Sequence, residues 1–384
     1  MIYLDNAATS WPKPEQVYRT LSSFARRAGA NPGRGAHRMA LEAARAIVGV
    51  RADLASLLGV EQPERIVFTR NATEALNLAL FGSVKPGDHV IVSDVEHNAV
   101  MRPLKVLKDR GVAVTTVRTD DHGRIEPDLV QRALRPNTRL IALTYASNVL
   151  GTIQPVAEVG RIAREAGVAF LVDAAQAVGE LPIDLRTLPV DLMAFSGHKG
   201  LLGPTGTGGL YIGPGQNPEP LIYGGTGSRS EVDYQPEFLP DRYESGTLNS
   251  VGLAGLGAGV RFLLKKKVQE VRRHTLALTQ RLLDGLAGIA GVTVYGPEEA
   301  AERVALVSFN VGYLPSTDGA YLLDRGYGIA CRGGLHCAPA AHRKLGSLAL
   351  GGAIRFSPGI FTTAEEIDQA VEAVAKLARE CRTD

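Results

Sequence analysis

The amino-acid sequence predicts an α/β fold whose larger part is a mainly parallel sheet covered by helices. From about residue 64, short apolar runs alternate with segments of helical periodicity. Most of the runs are continuously apolar and rich in β-branched residues, so both faces of the sheet are expected to be buried, as in a doubly wound domain. The candidate strands are residues 65–69, 89–93, 112–117, 139–144, 168–172 and 192–195.

Two loops precede the first strand. Residues 1–15 form an extended lead, in which Asp5-Asn-Ala-Ala is too small and polar for a core and is predicted to line a site. The turn-forming residues 31–37 are either a plain connector or a loop that contacts substrate through Arg34 or His37.

The predicted helices have apolar residues at helical spacing and boundary residues typical of helix ends. Gly59 follows the first helix as a C-cap, and Pro155 opens a crossover helix. The run Lys265-Lys-Lys267 is expected to be a solvated face. The helices cover residues 36–58, 126–134, 155–166, 252–285 and 363–379.

A chain of 384 residues is expected to form two domains. Residues 208–212 are predicted to add an antiparallel strand, and a long excursion rich in Gly and Pro then runs to residue 249. Strand-like segments at 304–311 and 353–356 indicate an α+β unit after it. The predicted division is a large domain of residues 16–251 and a small α+β domain of residues 1–15 and 252–384.

Bulk composition argues against several kinds of partner. Lys and Arg total 42 against 40 Asp and Glu, without a basic run, which argues against nucleic acid. No stretch is long and apolar enough to span a bilayer, and no basic region followed by an apolar stretch opens the chain, so no membrane association is expected and a cytoplasmic location is the simplest. The cysteines Cys331, Cys337 and Cys381 form no C-x-x-C pair, which suits a reducing compartment and no metal site.

Polar residues follow several of the predicted strands. Lys199 follows one apolar strand, Asp173 and Gln176 follow another, and Thr73 lies at a helix start. Because ligands of open α/β sheets gather at the carboxyl ends of strands, these residues should face one crevice. Each also has a plainer interpretation: Lys199 as a solvated surface charge, Asp173 as a helix cap and Thr73 as an N-cap.

Nine motifs, in order along the chain, resemble those of the class V aminotransferase family, pyridoxal-phosphate (PLP) enzymes of fold type I, and within it the cysteine desulfurases. They are Tyr3-Leu-Asp-Asn-Ala-Ala-Thr9, Ala72-Thr-Glu-Ala75, Glu96-His97-Asn98, Ser147-Asn-Val-Leu-Gly151, Asp173-Ala-Ala-Gln176, Ser196-Gly-His-Lys199, Glu244-Ser-Gly-Thr247, Arg332-Gly-Gly-Leu-His-Cys337 and Arg355.

The resemblance implies that PLP is the cofactor and that Lys199 binds it as a Schiff base. Asp173 would pair with the pyridine nitrogen, so that the ring can absorb the electrons of a carbanion, and Gln176 would donate to the ring oxygen. His97 would stack on the ring and handle protons near neutral pH. Ala175 is small enough to pack under the ring.

The resemblance also implies a site for the cofactor phosphate. Thr73 would hold it at the helix start, with Ser196 and His198 as further donors. The family has two threonines in this loop, and the first is Ala72 here, which removes one hydroxyl from that wall of the site. Thr247 would reach the phosphate of the partner subunit, so the resemblance implies a homodimer with shared sites.

Two residues carry the substrate chemistry that the resemblance implies. Arg355 would hold the α-carboxylate through two parallel hydrogen bonds, with a structural salt bridge as the alternative. Asn148 would lie near the ring oxygen or the substrate. Cys337, in a loop with Arg332, two glycines and a following proline, is either a small buried hydrophobe or an exposed, movable thiolate. Its short distance in sequence from Arg355 resembles the desulfurases with a compact cysteine loop, and no role is assigned to His336.

The predicted activity is removal of sulfur from L-cysteine, which gives L-alanine and a persulfide on Cys337 for transfer to a protein acceptor. Lys199 and His97 would move the Cα proton before the thiolate attacks the substrate sulfur. Iron–sulfur cluster assembly is the expected destination of the sulfur. The alternatives are a selenocysteine lyase or cysteine sulfinate desulfinase, a class V aminotransferase in which Cys337 is incidental, and a PLP-binding scaffold with little turnover.

Overall fold

The computed structural model describes residues 1–33 and 35–381, so the predicted substrate contact by Arg34 lies outside the described residues. The strands in this part of the chain are β1 (Ile2–Tyr3), β2 (Ile66–Thr69), β3 (His89–Ser93), β4 (Ala113–Val117), β5 (Thr138–Thr144), β6 (Ala169–Asp173), β7 (Leu192–Ser196), β8 (Gly208–Ile212), β9 (Val292–Tyr295), β10 (Val307–Val311), β11 (Ile329–Ala330), β12 (Arg332–Gly334) and β13 (Ala353–Phe356). The α-helices are α1 (Glu15–Ala28), α2 (Arg38–Leu58), α3 (Ala72–Ser83), α4 (Asn98–Asp109), α5 (Pro127–Ala133), α6 (Val156–Glu165), α7 (Ser250–Lys266), α8 (Val268–Ala287), α9 (Ser316–Tyr327), α10 (Pro339–Lys344) and α11 (Ala364–Glu380).

The larger sheet has seven strands in the order β2-β8-β7-β6-β5-β3-β4. Strand β8 runs antiparallel to β2 and β7, as predicted, and the other neighbours are parallel. Helices α2, α5, α6 and α7 bury apolar side chains on one face, and α3 and α4 do so on the other. The predicted α/β fold with a mainly parallel, covered sheet is therefore confirmed.

The order of the larger sheet reverses between β3 and β5. From this point the chain adds β4 on one side and β6 and β7 on the other. In open α/β sheets, the crevice outside the carboxyl ends of the strands at such a reversal is where ligands bind. The loops after β3, β5, β6 and β7 all begin at this edge, which brings residues far apart in sequence to one place.

The second sheet is antiparallel, in the order β12-β13-β10-β9. Helices α8, α9 and α11 pack apolar side chains against it. Strand β1 pairs in parallel with β11, so the start of the chain joins this second unit. The unit is α+β, as predicted, and helix α11 begins at a capping box in which Thr363 and Glu366 exchange hydrogen bonds.

The predicted helix over residues 252–285 is two helices, because the chain turns at Lys267, where φ is 68°. Most buried side chains of α7 join the core of the larger sheet, whereas those of the later turns of α8 join the core of the smaller one. A single straight helix could not face both cores. Lys265, Lys266 and Lys267 are exposed, as predicted. We propose that the two domains divide near Lys267, later in the chain than residue 252.

Two details of the helices bear on the predictions. Gly59 ends α2 in the left-handed conformation, with φ of 70°, and its N–H donates to Ala55 O, which confirms the predicted C-cap. Helix α1, which was not predicted, follows Pro14 and packs on α7. No helix in the described ranges combines the length and apolar composition that crossing a membrane requires.

Candidate active site

A cavity of about 290 Å³ lies at the carboxyl edge of the larger sheet, beside the reversal of strand order. It brings together nearly all of the residues that the sequence analysis assigned to a cofactor. The predicted residues in its wall are Ala72, Thr73, His97, Asn148, Asp173, Ala175, Gln176, Ser196, His198 and Lys199. Separate loops supply them, as expected for a site at strand ends.

Lys199 enters this cavity from the turn that follows β7. Burial lowers the pKa of its amine to about 8, and Asp173 opposes part of that shift by stabilising the ammonium form. The nearby Arg355 lowers the pKa further. A substantial fraction of Lys199 is therefore neutral near physiological pH, which an amine requires in order to attack an aldehyde.

Asp173 is the last residue of β6 and is buried. Its Oδ1 accepts a hydrogen bond of 3.0 Å from the backbone N–H of Ala175. A turn rather than a helix follows it, so the helix-cap interpretation does not hold. The carboxylate lines the cavity, where it can pair with a protonated ring nitrogen.

The start of α3 forms another part of the cavity wall. Asn71 caps this helix by accepting from Glu74 N at 2.9 Å, so Thr73 is not the N-cap and sits in the first turn instead. The backbone N–H of Ala72 donates to Ser196 Oγ at 3.3 Å. His198 Nδ1 is buried and has no hydrogen-bond partner among the described residues. A helix N-terminus with an unsatisfied ring nitrogen beside it suits an anionic group.

His97 combines a structural and a site-lining role. It is the N-cap of α4, where Nδ1 accepts a hydrogen bond of 3.0 Å from Ala99 N. In the neutral ring the proton is therefore on Nε2. Burial lowers the pKa of His97, Asp173 opposes this shift, and Lys199 adds to it. The imidazole is thus held in one orientation as a neutral group.

Glu96 is a buried site neighbour for which the sequence analysis proposed no role. Its Oε1 accepts from Ser93 Oγ at 2.5 Å and from Thr144 N at 3.1 Å, while Oε2 has no partner within residues 1–33 and 35–381. Burial raises its pKa to about 8, and Asp173 contributes to the shift. In the sequence, the signal that could have pointed to Glu96 is its place between the buried strand β3 and His97.

The loop before α1 lies against the lysine turn, in keeping with the site-lining role predicted for it. Gln176 Nε2 donates to Ala7 O at 3.1 Å. Thr9 Oγ1 and Ser10 N donate to the carbonyl of His198 at 3.1 and 3.0 Å. Lys13, which was not predicted, donates to Ser10 O at 3.0 Å, and burial lowers its pKa to about 8.

Arg355, in β13, is buried next to this loop. Its Nη2 donates to Asp5 Oδ1 at 3.1 Å and its Nη1 to Asn148 O at 2.9 Å, whereas Nε has no partner in the part of the chain that the structure describes. Burial lowers the pKa of the guanidinium to about 10. The structural salt bridge is therefore present, and it leaves a buried N–H for which the described residues provide no acceptor.

Cys337 is exposed in a turn between β12 and α10. His336 and Cys337 both adopt left-handed backbone conformations, with φ of 49° and 58°. The carbonyl of His336 accepts from Asn148 Nδ2 at 2.5 Å, and that of Cys337 accepts from Asn98 N at 2.8 Å. These bonds tie the turn to Asn148 in the cavity wall and to the first residue of α4, next to His97, so the turn lies beside the cavity.

Gly333 and Gly334, which precede Cys337, are required by close packing and by backbone conformation. A Cβ on Gly333 would lie 2.2 Å from the carbonyl oxygen of Ser316, so only glycine fits where β12 meets α9. Gly334 has φ of 119°, which L-residues rarely adopt. Of the two alternatives for Cys337, the exposed thiol agrees with the structure, and close packing and backbone conformation account for the glycines.

Besides Arg355 and Cys337, which lie next to the cavity wall, the predicted residues Thr247 and His37 lie outside the cavity. Thr247 is exposed and its hydroxyl accepts a hydrogen bond of 3.3 Å from Asn31 Nδ2. His37 caps α2 by accepting from Ala40 N at 3.4 Å, which gives it a structural role. In the described ranges, no group of three or more His, Cys, Asp or Glu side chains is arranged to hold a metal ion.

Related proteins match this chain over nearly its whole length. The profile of the aminotransferase class-V family matches residues 2–370. A probable cysteine desulfurase of Methanothermobacter thermautotrophicus is 37% identical over 98% of this chain and 94% of its own, and a cysteine desulfurase of Pectobacterium atrosepticum is 34% identical over 99% and 93%. Among solved structures, the apo cysteine desulfurase of Thermococcus onnurineus superimposes with a TM-score of 0.92 at 34% identity, covering 99% of this chain and 95% of that one.

The cavity fits PLP, the cofactor on which this family depends. Lys199 would hold its aldehyde carbon and Asp173 its pyridine nitrogen. The start of α3 and the unpartnered Nδ1 of His198 would face its phosphate. Ala175 leaves space for a flat ring. Because the family profile covers nearly the whole chain and the cavity contains the groups that PLP needs, this protein belongs to the class V aminotransferase family.

Proposed function

We propose that the protein is a PLP-dependent cysteine desulfurase, which converts L-cysteine to L-alanine and leaves the sulfur as a persulfide on Cys337. The observation that carries the proposal is the position of the thiol. Asn148 of the cavity wall and Asn98, the first residue of α4, bind the backbone of its turn, and the thiol is exposed. The relatives named above as cysteine desulfurases support the same activity.

PLP, when bound, would accept the electrons that are released when the Cα proton leaves. The protein's own residues then have separate tasks. Lys199 Nζ, which is partly neutral because burial lowers its pKa, takes the proton from Cα. His97 Nε2–H, fixed by the capping bond at Nδ1, lies in the cavity as a neutral donor. Arg355, whose Nη1 is bound to Asn148 O, offers its Nε–H to the substrate carboxylate.

The sulfur-transfer step balances without an external oxidant or reductant. The Cys337 thiolate attacks the substrate sulfur and forms an S–S bond, while the substrate Cβ–S bond breaks and its electron pair remains with carbon. The carbon fragment takes up protons at Cβ and Cα and leaves as alanine. Carbon is reduced and sulfur is oxidised to the same extent, so one thiol and one cysteine yield one persulfide and one alanine.

The proposal includes a homodimer with shared sites. Thr247 lines a second cavity, of about 320 Å³, together with Leu221 and Ile222, on the surface of the monomer. Large exposed apolar side chains occur around α1 and α2 and in the excursion, which favours a protein interface. They are Tyr18, Met39, Leu41, Val48, Leu221, Ile222, Tyr223, Val232, Tyr234 and Phe238. Sedimentation should show a dimer at micromolar concentration, and an active monomer would contradict it.

The destination of the sulfur is also part of the proposal. Because Cys337 is exposed, a second protein can reach the persulfide, and we propose a protein acceptor whose sulfur enters iron–sulfur cluster assembly. A cytoplasmic location fits a thiol that must return to its reduced form after each turnover.

The test is product analysis with L-cysteine as the substrate. A desulfurase releases equimolar alanine and, in the presence of a thiol reductant, sulfide. An aminotransferase in which Cys337 is incidental would instead convert the substrate to a keto acid, and a β-lyase would release pyruvate. Pyruvate or keto acid without alanine would overturn the proposal. Parallel assays with selenocysteine and cysteine sulfinate distinguish the related lyase activities.

A further inference from the structure

A buried chain of hydrogen bonds lies behind the cysteine turn. His336 Nε2 is 3.3 Å from Arg332 O, and His336 Nδ1 is 3.3 Å from His342 Nε2. His342 Nδ1 is 2.8 Å from Ser347 Oγ. All three inner side chains are buried, with exposed fractions of 2% for His336, 0% for His342 and 1% for Ser347.

The partners at the two ends set the direction of this chain. A carbonyl oxygen only accepts, so His336 Nε2 carries the proton and Nδ1 is an acceptor. His342 must then donate from Nε2 and accept at Nδ1, where the Ser347 hydroxyl donates. The alternative acceptor for that hydroxyl, His342 O, is 3.4 Å away and therefore less favourable. Burial lowers the pKa of His342 to about 4 and that of His336 well below its usual value, so both rings are neutral, as this direction requires.

The chain ends at the residues that present the thiol. His336 precedes Cys337, and both have left-handed backbone conformations that L-residues adopt only when the surroundings impose them. Arg332, whose carbonyl receives the last bond, has its Nη2 3.9 Å from Cys337 Sγ. The imidazole of His336 therefore connects the backbone that carries the guanidinium to the turn that carries the sulfur.

We propose that His342 and Ser347 are positioning residues for Cys337: through His336 they hold the left-handed turn and the Arg332 backbone, so that the thiol remains beside the guanidinium. Neither residue needs to contact substrate or cofactor. The turn is closed by a hydrogen bond of 2.9 Å from Ala338 N to Leu335 O, and Asn98 and Asn148 bind its carbonyl groups. None of these bonds reaches the His336 imidazole or the Arg332 carbonyl, whose positions depend on the histidine chain.

The kinetic test of this proposal rests on the proposed desulfurase function, whereas the chemical test does not. The chemical test is alkylation of Cys337 by iodoacetamide in the PLP-loaded enzyme without substrate, followed by peptide mass spectrometry. In His342→Leu we expect alkylation to slow roughly tenfold, because Cys337 Sγ is no longer held at its position 3.9 Å from Arg332 Nη2. His342→Gln, which can still donate to His336 Nδ1, should remain within about threefold of the unaltered enzyme.

The kinetic test uses L-cysteine. His342→Leu should lower kcat roughly a hundredfold with KM nearly unchanged, since a misplaced nucleophile slows sulfur transfer but not substrate binding. The absorbance change that L-cysteine produces in bound PLP should persist. Ser347→Ala, which removes only the terminal donor, should give a smaller loss of kcat. It replaces His342→Leu as the test variant if His342→Leu folds poorly.

His274 provides the matched control, because it is a half-buried histidine of α8 whose Nε2 is 3.0 Å from a carbonyl, that of Thr362, away from the turn. His274→Leu should leave alkylation and kcat unchanged. Alkylation at the original rate in both His342→Leu and Ser347→Ala would overturn the proposal. An equal fall in the alkylation rate in His274→Leu would also overturn it, as would an alkylation rate in His342→Gln as low as that in His342→Leu. Slowed alkylation in a protein that makes no alanine would support the positioning role and contradict the desulfurase instead.

Discussion

Arg51 of α2 and Glu244 of the excursion form a buried, bidentate salt bridge with both N–O distances at 2.8 Å. Glu244 Oε1 also accepts from the backbone N–H of Phe68 at 2.7 Å, and the Arg51 guanidinium stacks over the Phe68 ring. The loop that carries Thr247 begins directly after Glu244. This pair therefore attaches the proposed intersubunit segment to the body of the larger domain.

Replacing Glu244 with Ala should destabilise the protein by about 3–5 kcal/mol, because Arg51 is left charged and unpaired in a buried position. Urea unfolding at a fixed protein concentration measures the change. Glu219→Ala is the matched control, since Glu219 is 73% exposed in its 3.4 Å ion pair with Arg242 and its loss should cost at most about 1 kcal/mol. Equal effects of the two changes would show that the buried pair has no special role.

Covalent attachment of PLP to the apoenzyme should depend on pH through Lys199. Its pKa is lowered to about 8 by burial, so below that value the neutral fraction, and with it the attachment rate, should rise roughly tenfold per pH unit and then level off. Spectroscopic mixing experiments over a pH series measure this rate. A profile that continues to rise toward the ordinary lysine pKa would contradict the assignment.

Borohydride reduction should fix PLP to the peptide that contains Lys199. Lys13 is a stringent comparison, because burial lowers its pKa to about 8 as well, while its Nζ donates to Ser10 O and Oγ instead of lining the cavity. Lys13→Gln should keep the label, and Lys199→Arg should lose it. Label on any peptide other than that of Lys199 would be incompatible with its proposed role.

Cys337→Ala should lower the rate of alanine and sulfide release by several orders of magnitude, as expected when a covalent nucleophile is removed. L-cysteine should still bind, because Lys199, Asp173 and Arg355 remain, and absorbance spectroscopy would show it. Mass spectrometry of the unaltered protein after L-cysteine should find one added sulfur on the Cys337 peptide. The control Cys381→Ala, an exposed cysteine beyond α11, should retain turnover. Near-normal alanine production by Cys337→Ala would favour the aminotransferase or another lyase.

Arg355→Lys should raise KM for L-cysteine roughly ten- to a hundredfold with a smaller effect on kcat, since an ammonium cannot replace a planar guanidinium that already binds Asp5 and Asn148. Steady-state kinetics measure both constants. Arg281→Lys, in an exposed ion pair with Asp368, serves as the control and should change neither. An unchanged KM in Arg355→Lys would indicate that the guanidinium is purely structural.

The sequence alone was sufficient for the class of fold and for most of the cavity wall. Continuous apolar runs report burial on both faces of a strand, and that signal is local, so strands such as β3 and β8 were predicted with their observed bounds. Residues at the ends of parallel strands share one edge by geometry. The meeting of His97, Asp173 and Lys199 in one cavity therefore followed from strand assignment together with the order of motifs.

Other features depended on contacts between distant segments, about which local patterns carry no information. The break at Lys267 exists because α7 and α8 face different cores, although the apolar spacing continues through it. The pairing of Arg355 with Asp5 joins the start of the chain to its last strand. The left-handed turn at Cys337 and the histidine chain behind it arise because packing buries His336, His342 and Ser347 together. Their hydrogen bonds must then be satisfied by one another, and only the tertiary structure determines which partners are available.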